Sequence, residues 1–269
     1  MQKRPELIDK LNISRKNLDD IKKQTEYKIQ YITAYVKEWL YVASNSSKKK
    51  IVFIDAMANA GIYDNGILGT SPEVLLEFIG FADKHKDKEF YLFINELNKN
   101  RLTEHEKINS YFLSGCNLNN ITVDYNNQDV NLYLENYQKF DPVLNNSDSF
   151  CILFIDPYNF STVEINKIKK FVTQYYCEVL FNVFTSDQKR NEDSTAIQKC
   201  LGTIQITDKE KIITEIAKHL RVGNIKHVFS YPFRISTNVE LYQILYLTPN
   251  IRGLEKLKDV IWNVFDGAK

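Results

Sequence analysis

Short apolar runs alternate with longer segments of helical periodicity between Ile51 and Phe184. Consecutive parallel strands need a long connection, which is usually a helix. The alternation therefore predicts a mostly parallel sheet with helices on both faces. The predicted strands are Ile51–Asp55, Phe90–Asn95, Ile121–Tyr125, Phe150–Asp156 and Val179–Phe184. The predicted helices between them are Pro72–Phe81, Arg101–Leu113, Val130–Phe140 and Val163–Val172.

The two ends of the chain depart from this alternation. An amphipathic helix is predicted over Leu18–Ala43, and the charged residues before it are expected to fray. We therefore divide the chain into an N-terminal helical extension, residues 1–46, and an α/β domain, residues 47–269. Residues 185–194 are polar and predict a mobile loop. After them the sequence predicts a helix over Lys209–Leu220, strands over His227–Tyr231 and Leu241–Thr248, and a last helix over Leu254–Phe265.

Composition narrows the class of protein. The apolar fraction of 43% and the charged fraction of 26% are typical of a soluble globular protein. A formal net charge of +1 gives no global electrostatic case for nucleic acid, so a basic surface would have to be local. The four cysteines are far apart, and no pair has the spacing of a zinc site. With no signal peptide or apolar span, we expect a cytoplasmic protein without a metal site or a membrane contact.

The segment from Cys151 to Phe160 carries the strongest chemical signal. An apolar run of strand length ends in Asp156-Pro157-Tyr158, and the carboxyl ends of such strands are where open α/β sheets bind ligands. To orient an exocyclic amine of a nucleobase, a catalyst needs a carboxylate, a fixed turn with a free carbonyl, and an aromatic ring. The alternative is an ordinary cap at the start of a helix.

Acidic residues follow four successive predicted strands: Asp55, Glu96, Asp129 and Asp156. In a fold that binds S-adenosylmethionine, Asp55 would precede the turn that holds the methionine part. Glu96 would accept the ribose hydroxyls, as carboxylates do in dinucleotide sites. Asp129 would accept the adenine amine, and Asp156 would lie beside the transferred methyl group. The alternative is that each carboxylate caps a helix.

The predicted cofactor turn runs from Ala56 to Gly61 and contains a single glycine. Its small residues, together with Asn59, would allow the backbone to approach a cofactor, but alanine does not adopt a positive φ easily. A second small-residue stretch leads to Ser71-Pro72, which is a good local signal for the start of a helix.

Several motifs resemble those of the three-Cys-motif partner proteins. They are Thr25-Glu26-Tyr27-Lys28…Tyr31, Asp55…Gly61…Gly69-Thr70-Ser71-Pro72, Ile155-Asp156-Pro157-Tyr158, Pro232-Phe233-Arg234 and Leu257-Lys258-Asp259-Val260-Ile261-Trp262. The resemblance implies a Rossmann-like class I methyltransferase fold with a seven-stranded, mostly parallel sheet and a final antiparallel strand. It also implies a companion protein that bears a three-cysteine motif and looks like a radical enzyme.

The chain departs from that family at the first turn, where members usually have Asp-Gly-Phe-Ala-Gly-Pro-Gly. It also has Thr70 before Ser71-Pro72, and Asn159 where glycine usually follows Asp-Pro-Tyr. Asp156-Pro157-Tyr158 is also similar to the Asp-Pro-Pro-Tyr motif of adenine-N6 methyltransferases and the Asp-Pro-Phe-Gly motif of transfer-RNA guanine-N2 methyltransferases.

Two functions follow as hypotheses. The first is an S-adenosylmethionine-dependent N-methyltransferase acting on a base in RNA or DNA. In it Asp156 orients the amine, Tyr158 stacks on the base, Phe160 extends that wall or packs in the core, and Lys189 and Arg190 contact phosphates. The second is a methyltransferase-like binding module or subunit, which the glycine-poor turn favours. Trp39 and Trp262 lie on predicted amphipathic helices and are expected in the core.

Overall fold

A sheet of seven strands forms the centre of the molecule in the computed structural model, which describes residues 2–145, 148–184, 195–204, 211–234 and 240–265. The strands are Lys50–Asp55 (β1), Glu89–Asn95 (β2), Ile121–Asn126 (β3), Ser149–Ile155 (β4), Glu178–Val183 (β5), His227–Arg234 (β6) and Glu240–Thr248 (β7). Their order is β3-β2-β1-β4-β5-β7-β6. Neighbours among β1 to β5 pair in parallel, and β7 runs antiparallel to β5 and β6. The predicted class I methyltransferase fold is confirmed.

Helices cover both faces of this sheet. They are Glu6–Lys10 (α1), Lys23–Ser44 (α2), Thr70–Ala82 (α3), Lys99–Ser114 (α4), Val130–Tyr133 (α5), Tyr137–Leu144 (α6), Ile165–Gln174 (α7), Thr195–Leu201 (α8), Ile212–Leu220 (α9) and Ile251–Val264 (α10). Side chains of α2, α3, α4 and α10 share one apolar core, and those of α5 to α9 share the other. Because both faces of β1 and β4 are covered, the interiors of these strands consist of apolar residues.

The N-terminal residues are better ordered than the sequence predicts. Residues 6–10 form a short helix whose Leu7 and Ile8 are buried. The Arg4 amide donates to the Gly66 carbonyl at 2.8 Å, which ties the segment to the loop before α3. The expectation that this end frays is therefore wrong, because its few apolar side chains find a place in the core.

The long N-terminal helix is shorter at its start than predicted. It begins at Lys23 rather than Leu18, and Asp19, Asp20 and Lys22 precede it at the rim of a cleft described below. Its buried stripe includes Ile32, Val36 and Leu40, which join the same core as β1 and α3. The buried residues run from Lys28 to Ser44, so most of the helix packs against the α/β domain.

Two further differences concern a helix break and a tryptophan. The helix predicted over Val130–Phe140 is two helices, because Asn136 has a ψ of 66°, outside the helical region. Trp39 is buried as predicted, but Trp262 is 64% exposed, so the prediction of a core position for Trp262 is wrong. The predicted loop 185–194 lies outside the described residues.

Three properties of the described residues bear on function. None of the helices found there combines the length and the apolar character needed to cross a membrane. No group of three or more His, Cys, Asp or Glu side chains among the same residues is arranged to hold a metal ion. All four cysteines are free thiols, and Cys151 and Cys177 are buried as predicted.

Candidate active-site cleft

Asp156 directly follows β4, so the sheet delivers its carboxylate to the edge where parallel strands end. Both carboxylate oxygens are occupied. The Asn182 side-chain amide donates to Oδ1 at 2.7 Å, and the Lys28 ammonium forms an ion pair with Oδ2. The Lys28 side chain is only 7% exposed and the Asp156 side chain 21% exposed. A helix outside the sheet thus contributes a cation to the predicted catalytic carboxylate.

Asp55 ends β1 beside β4 and is buried. Its carboxylate accepts hydrogen bonds from the Ser71 hydroxyl and, at 3.2 Å, from the Met57 amide. Burial is the main cause that raises the pKa of Asp55 from 3.8 to about 7, although the Ser71 and Met57 hydrogen bonds oppose it. The carboxyl group of Asp55 therefore titrates near neutral pH.

The turn after β1 is held by its own hydrogen bonds. The Met57 amide donates to Asp55, the Asn59 amide to Glu96 and the Ala60 amide to the Asn59 side chain. Asn59 and Gly61 have positive φ values of 56° and 75°. The turn thus reaches the left-handed conformation with asparagine and one glycine, the residue types that adopt it most readily.

Gly61 is required for packing as well as for conformation. A side-chain carbon at this position would lie 2.9 Å from the ring of His105. His105 is buried beneath the turn, and its Nδ1 lies 3.1 Å from the Asn59 carbonyl oxygen. Burial lowers the pKa of His105 from 6.5 to about 4, so the ring beneath the turn is neutral at physiological pH.

Glu96 and Asp129 lie at the next two strand ends and already have partners. Glu96 is 5% exposed and accepts hydrogen bonds from the amides of Asn59, at 2.9 Å, and Asn98, at 2.7 Å. Asp129 caps α5 by accepting a hydrogen bond from the Asn131 amide at 2.9 Å. For Asp129 the structure shows the capping role that the sequence left open.

A cleft of about 460 Å³ opens at this edge of the sheet. Its lining includes six of the predicted site residues: Asp55, Asn59, Gly61, Asp156, Pro157 and Tyr158. Ala56 is fully buried, and Glu96 and Asp129 lie outside the lining. Lys189 and Arg190 lie outside the described residues. The structure therefore brings the β1 and β4 residues together in one cavity and places the β2 and β3 carboxylates beside it.

Phe160 does not contribute to the wall of this cleft. It is 4% exposed and packs in the core beneath α7 and α8. Of the two roles that the sequence allows, the structure shows the core role, since Phe160 is buried at the start of the short helix Phe160–Thr162 among the apolar residues of one core.

Tyr158 reaches across the end of β1. Its hydroxyl accepts a hydrogen bond from Arg101 Nη1 at 2.6 Å, and Arg101 lies on α4, which follows β2. The same guanidinium donates to Asn59 Oδ1 at 3.0 Å and to Asp19 at 2.6 Å. Since β1 lies between β2 and β4, this network joins residues that follow β2 and β4 across the turn after β1.

Sequence reasoning missed Asp19, Arg101, Lys28 and Tyr242 as site residues. The Lys28 ammonium lies 5.6 Å from the centre of the Tyr242 ring, and both residues line the cleft. Lys28 lies within the Thr25–Tyr31 motif that resembles the partner family, so a weak signal was present. Arg101 follows Glu96 by five positions at the start of a helix, and nothing in the local pattern distinguishes it from a solvent-exposed cation.

The residues present fit S-adenosylmethionine in their chemistry. Asp55 and Asp156 are carboxylates that suit a cationic sulfonium or amino group, and a volume of about 460 Å³ lies in the range of small-molecule sites. A carboxylate has about four lone-pair positions, and in Glu96 the Asn59 and Asn98 amides already use both oxygens, outside the cleft lining. Leu97, 67% exposed, and Leu132, 65% exposed, follow Glu96 and Asp129 and lie outside the cleft lining.

Comparison with known proteins adds to the fold rather than to the site. No family model and no curated protein matches the chain. A Legionella pneumophila protein of the DUF519 family is similar in structure, with a TM-score of 0.51, 12% sequence identity and coverage of 90% of this chain and 94% of that one. At this identity the likeness shows the fold alone.

Lower-scoring likenesses include spermidine synthase from Thermotoga maritima, with a TM-score of 0.40, 12% identity and coverage of 87% of this chain and 62% of that one. An S-adenosylmethionine-dependent methyltransferase from Methanosarcina mazei has a TM-score of 0.38, 12% identity and coverage of 76% and 93%. These scores are too low to carry an argument about this chain. The chain spans less than two thirds of the spermidine synthase.

Proposed function

We propose that the protein is an S-adenosylmethionine-dependent methyltransferase that acts on an exocyclic amine of a nucleobase in RNA or DNA. The observation that supports this most is that Asp55 and Asp156, at the ends of adjacent strands, line one cleft. Asp55 would hold the methionine part of the cofactor, and Asp156 would hold the amine that receives the methyl group.

Asp156 has the arrangement that amine orientation requires. Asn182 and Lys28 fix its two oxygens, and the remaining lone pairs can accept an N–H of the substrate. When bound, the cofactor would supply an electrophilic methyl group, with an N–CH₃ bond formed as the S–CH₃ bond breaks. The nitrogen needs its lone pair aimed at the methyl group, and its surplus proton can pass to Asp156 and then to water.

A flat substrate suits the walls of the cleft. Tyr63, Tyr158, Phe184 and Tyr242 all line it. Tyr158 is 57% exposed, and the Arg101 guanidinium lies over its ring at 5.9 Å from the centre. The exposed part of the ring could stack on a base, a contact worth about 1–3 kcal/mol. A base drawn from a duplex would have to be flipped out to reach Asp156.

Binding of the cofactor is the first test. Isothermal titration of the protein with S-adenosylmethionine and with S-adenosylhomocysteine should show binding of both ligands. Asp55→Ala should weaken it by at least tenfold, since the substitution removes a carboxylate from the methionine side of the cleft. Asp129→Asn, which keeps the cap of α5, is the matched variant at a position outside the cleft lining. Failure of the wild-type protein to bind either ligand would exclude the catalytic proposal.

The acceptor is the second test. Total RNA and genomic DNA should be incubated with the protein and methyl-labelled S-adenosylmethionine, then digested to nucleosides and analysed by mass spectrometry. We expect label in an N-methylated base and a loss of at least a hundredfold in Asp156→Asn. Label on a ribose oxygen or on protein would contradict the nucleobase assignment.

A second candidate is a methyltransferase-like module that works with a three-cysteine-motif protein. The observation that favours it is the engagement of Glu96 by two backbone amides, together with the Arg101–Tyr158 hydrogen bond across the turn. This version predicts stable copurification with an iron–sulfur protein, no binding of either cofactor form, and unchanged function in Asp156→Ala. Cofactor binding with the isolated protein would speak against it.

A further inference from the structure

Lys28 is a cation enclosed by the cleft. It lies in α2, and its ammonium contacts Asp156 Oδ2 and the face of Tyr242, 5.6 Å from the ring centre. A buried lysine side chain is costly unless it is paired, and here the carboxylate and the aromatic ring supply the compensation. The positive charge is therefore held at the point where the proposed methyl transfer takes place.

The surrounding charges are unevenly distributed. Asp19, Asp20, Asp55 and Asp156 line the cleft together with Lys22 and Lys28. Asp19 is paired with Arg101, and Lys22 is exposed at the rim, so Lys28 is the enclosed cation among the described lining residues. Asp156 is close enough to Asp55 to contribute to its raised pKa. The carboxylates at the ends of β1 and β4 and the Lys28 ammonium therefore act on the same small volume.

The methyl donor and the demethylated form of the cofactor that the proposed reaction leaves behind differ by one charge in that volume. S-adenosylmethionine carries a permanent positive charge on sulfur, whereas S-adenosylhomocysteine is a neutral thioether of nearly the same shape. A fixed ammonium repels the first and not the second. Charges separated by several ångströms in a partly buried site interact strongly enough to change affinity by about tenfold or more.

We infer that Lys28 is a specificity-determining residue that sets the relative affinity of the cleft for the charged methyl donor and its neutral product. This inference rests on the proposed function, because it requires that the cleft bind both ligands. The positive charge of Lys28 weakens binding of the donor, while its contact with Asp156 keeps that carboxylate oriented.

The test compares dissociation constants for the two ligands, measured by isothermal titration at low salt. Lys28→Met should tighten binding of S-adenosylmethionine relative to S-adenosylhomocysteine by about tenfold, and Lys28→Arg, which keeps the charge, should retain the wild-type ratio. Lys22→Met removes the same charge at the exposed rim and should change the ratio by less than about twofold, because solvent screens exposed charges. Lys28→Gln keeps a hydrogen-bond donor for Asp156 and covers the case in which Lys28→Met fails to fold.

The outcomes separate this inference from the proposed function. If wild-type protein binds neither ligand, the proposed function fails and the inference fails with it. If both ligands bind and Lys28→Met or Lys28→Gln changes their affinities equally, in either direction, Lys28 has only a steric or structural role and the inference alone is wrong. A change in the ratio as large in Lys22→Met as in Lys28→Met would also overturn it, since the effect would then come from net charge.

Discussion

At the scale of single residues, the site is built from carboxylates whose environments differ. Asp55 is buried and accepts hydrogen bonds from two donors, and Asp156 forms an ion pair with an ammonium group. Glu96 accepts hydrogen bonds from two backbone amides, and Asp129 caps a helix. Four acidic residues at successive strand ends thus have four different local roles. A sequence shows that carboxylates occur in register, but their partners decide which of them is available to a ligand.

Asp55 should make the stability of the fold depend on pH. Its pKa is raised to about 7 in the folded protein, against 3.8 ordinarily, so the folded state binds its proton more tightly than the unfolded state does. Stability therefore falls as pH rises from about 4 to about 7, by on the order of 4 kcal/mol at full effect, since one pKa unit equals about 1.4 kcal/mol.

Urea unfolding of wild type and Asp55→Asn at pH 5 and pH 8 measures this effect. Asparagine has nearly the same shape and no charge, so the variant should gain stability relative to wild type as the pH increases. A difference between the two proteins that stays constant over this range would show that Asp55 does not titrate there.

At the scale of elements, the turn between β1 and α3 is a tightly constrained connection. It combines left-handed residues at Asn59 and Gly61 with a glycine-to-glycine contact, since the Gly69 amide donates to the Gly61 carbonyl at 2.8 Å. The sequence predicts a turn here but gives no indication that a histidine packs beneath it. His105 is 44 positions after Gly61 on a separate helix, and periodicity reveals only that this face of α4 is buried.

Gly61→Ala should destabilise the protein by about 1–3 kcal/mol, because the new carbon meets His105 and the φ of 75° disfavours alanine. Gly80→Ala is the matched control, since Gly80 lies in α3 with nothing within 4 Å of an added carbon. It should be neutral or stabilise by up to about 1 kcal/mol, because alanine is the better helix former. Chemical denaturation measures both, and equal effects in the two variants would contradict the packing role of Gly61.

At the scale of the whole molecule, the sequence predicts the sheet well and the contacts between distant segments poorly. β1 and β2 end at the predicted residues, Asp55 and Asn95, because apolar periodicity is a local signal. The Lys28–Asp156 contact joins residues 128 positions apart, and the Arg101–Asp19 contact joins residues 82 positions apart. No local pattern encodes such pairs, so the N-terminal contribution to the site emerges only from the folded arrangement.

A second long-range contact holds α2 at the opposite ends of the strands, where β5 begins. The Tyr35 hydroxyl donates to Glu178 on β5 and lies 2.6 Å from the Tyr246 hydroxyl on β7. Burial raises the pKa of Glu178, so the carboxyl depends on these hydroxyl groups for compensation. Tyr35→Phe should therefore lower the free energy of unfolding by about 1–3 kcal/mol.

The matched control for that variant is Tyr41→Phe, on the same helix with a side chain that is 66% exposed. It removes the same oxygen where water can replace it, so the effect should be within about 0.5 kcal/mol of zero. Denaturant titrations of both variants measure the two changes in the free energy of unfolding. Equal losses would mean that the buried hydroxyl does not stabilise the attachment of α2.

Lys28 and Tyr35 are seven positions apart, which is about two turns of helix and places both on the same face of α2. One rigid helix thus contacts both Asp156, at the carboxyl end of β4, and Glu178, at the amino end of β5, and fixes the distance between these two contacts. A single residue inserted between them would rotate one end by about 100° relative to the other, so only one of the two contacts could survive. The length of this helix, and not only the identity of its side chains, is therefore under constraint. Substitutions along it should be tolerated far more readily than insertions.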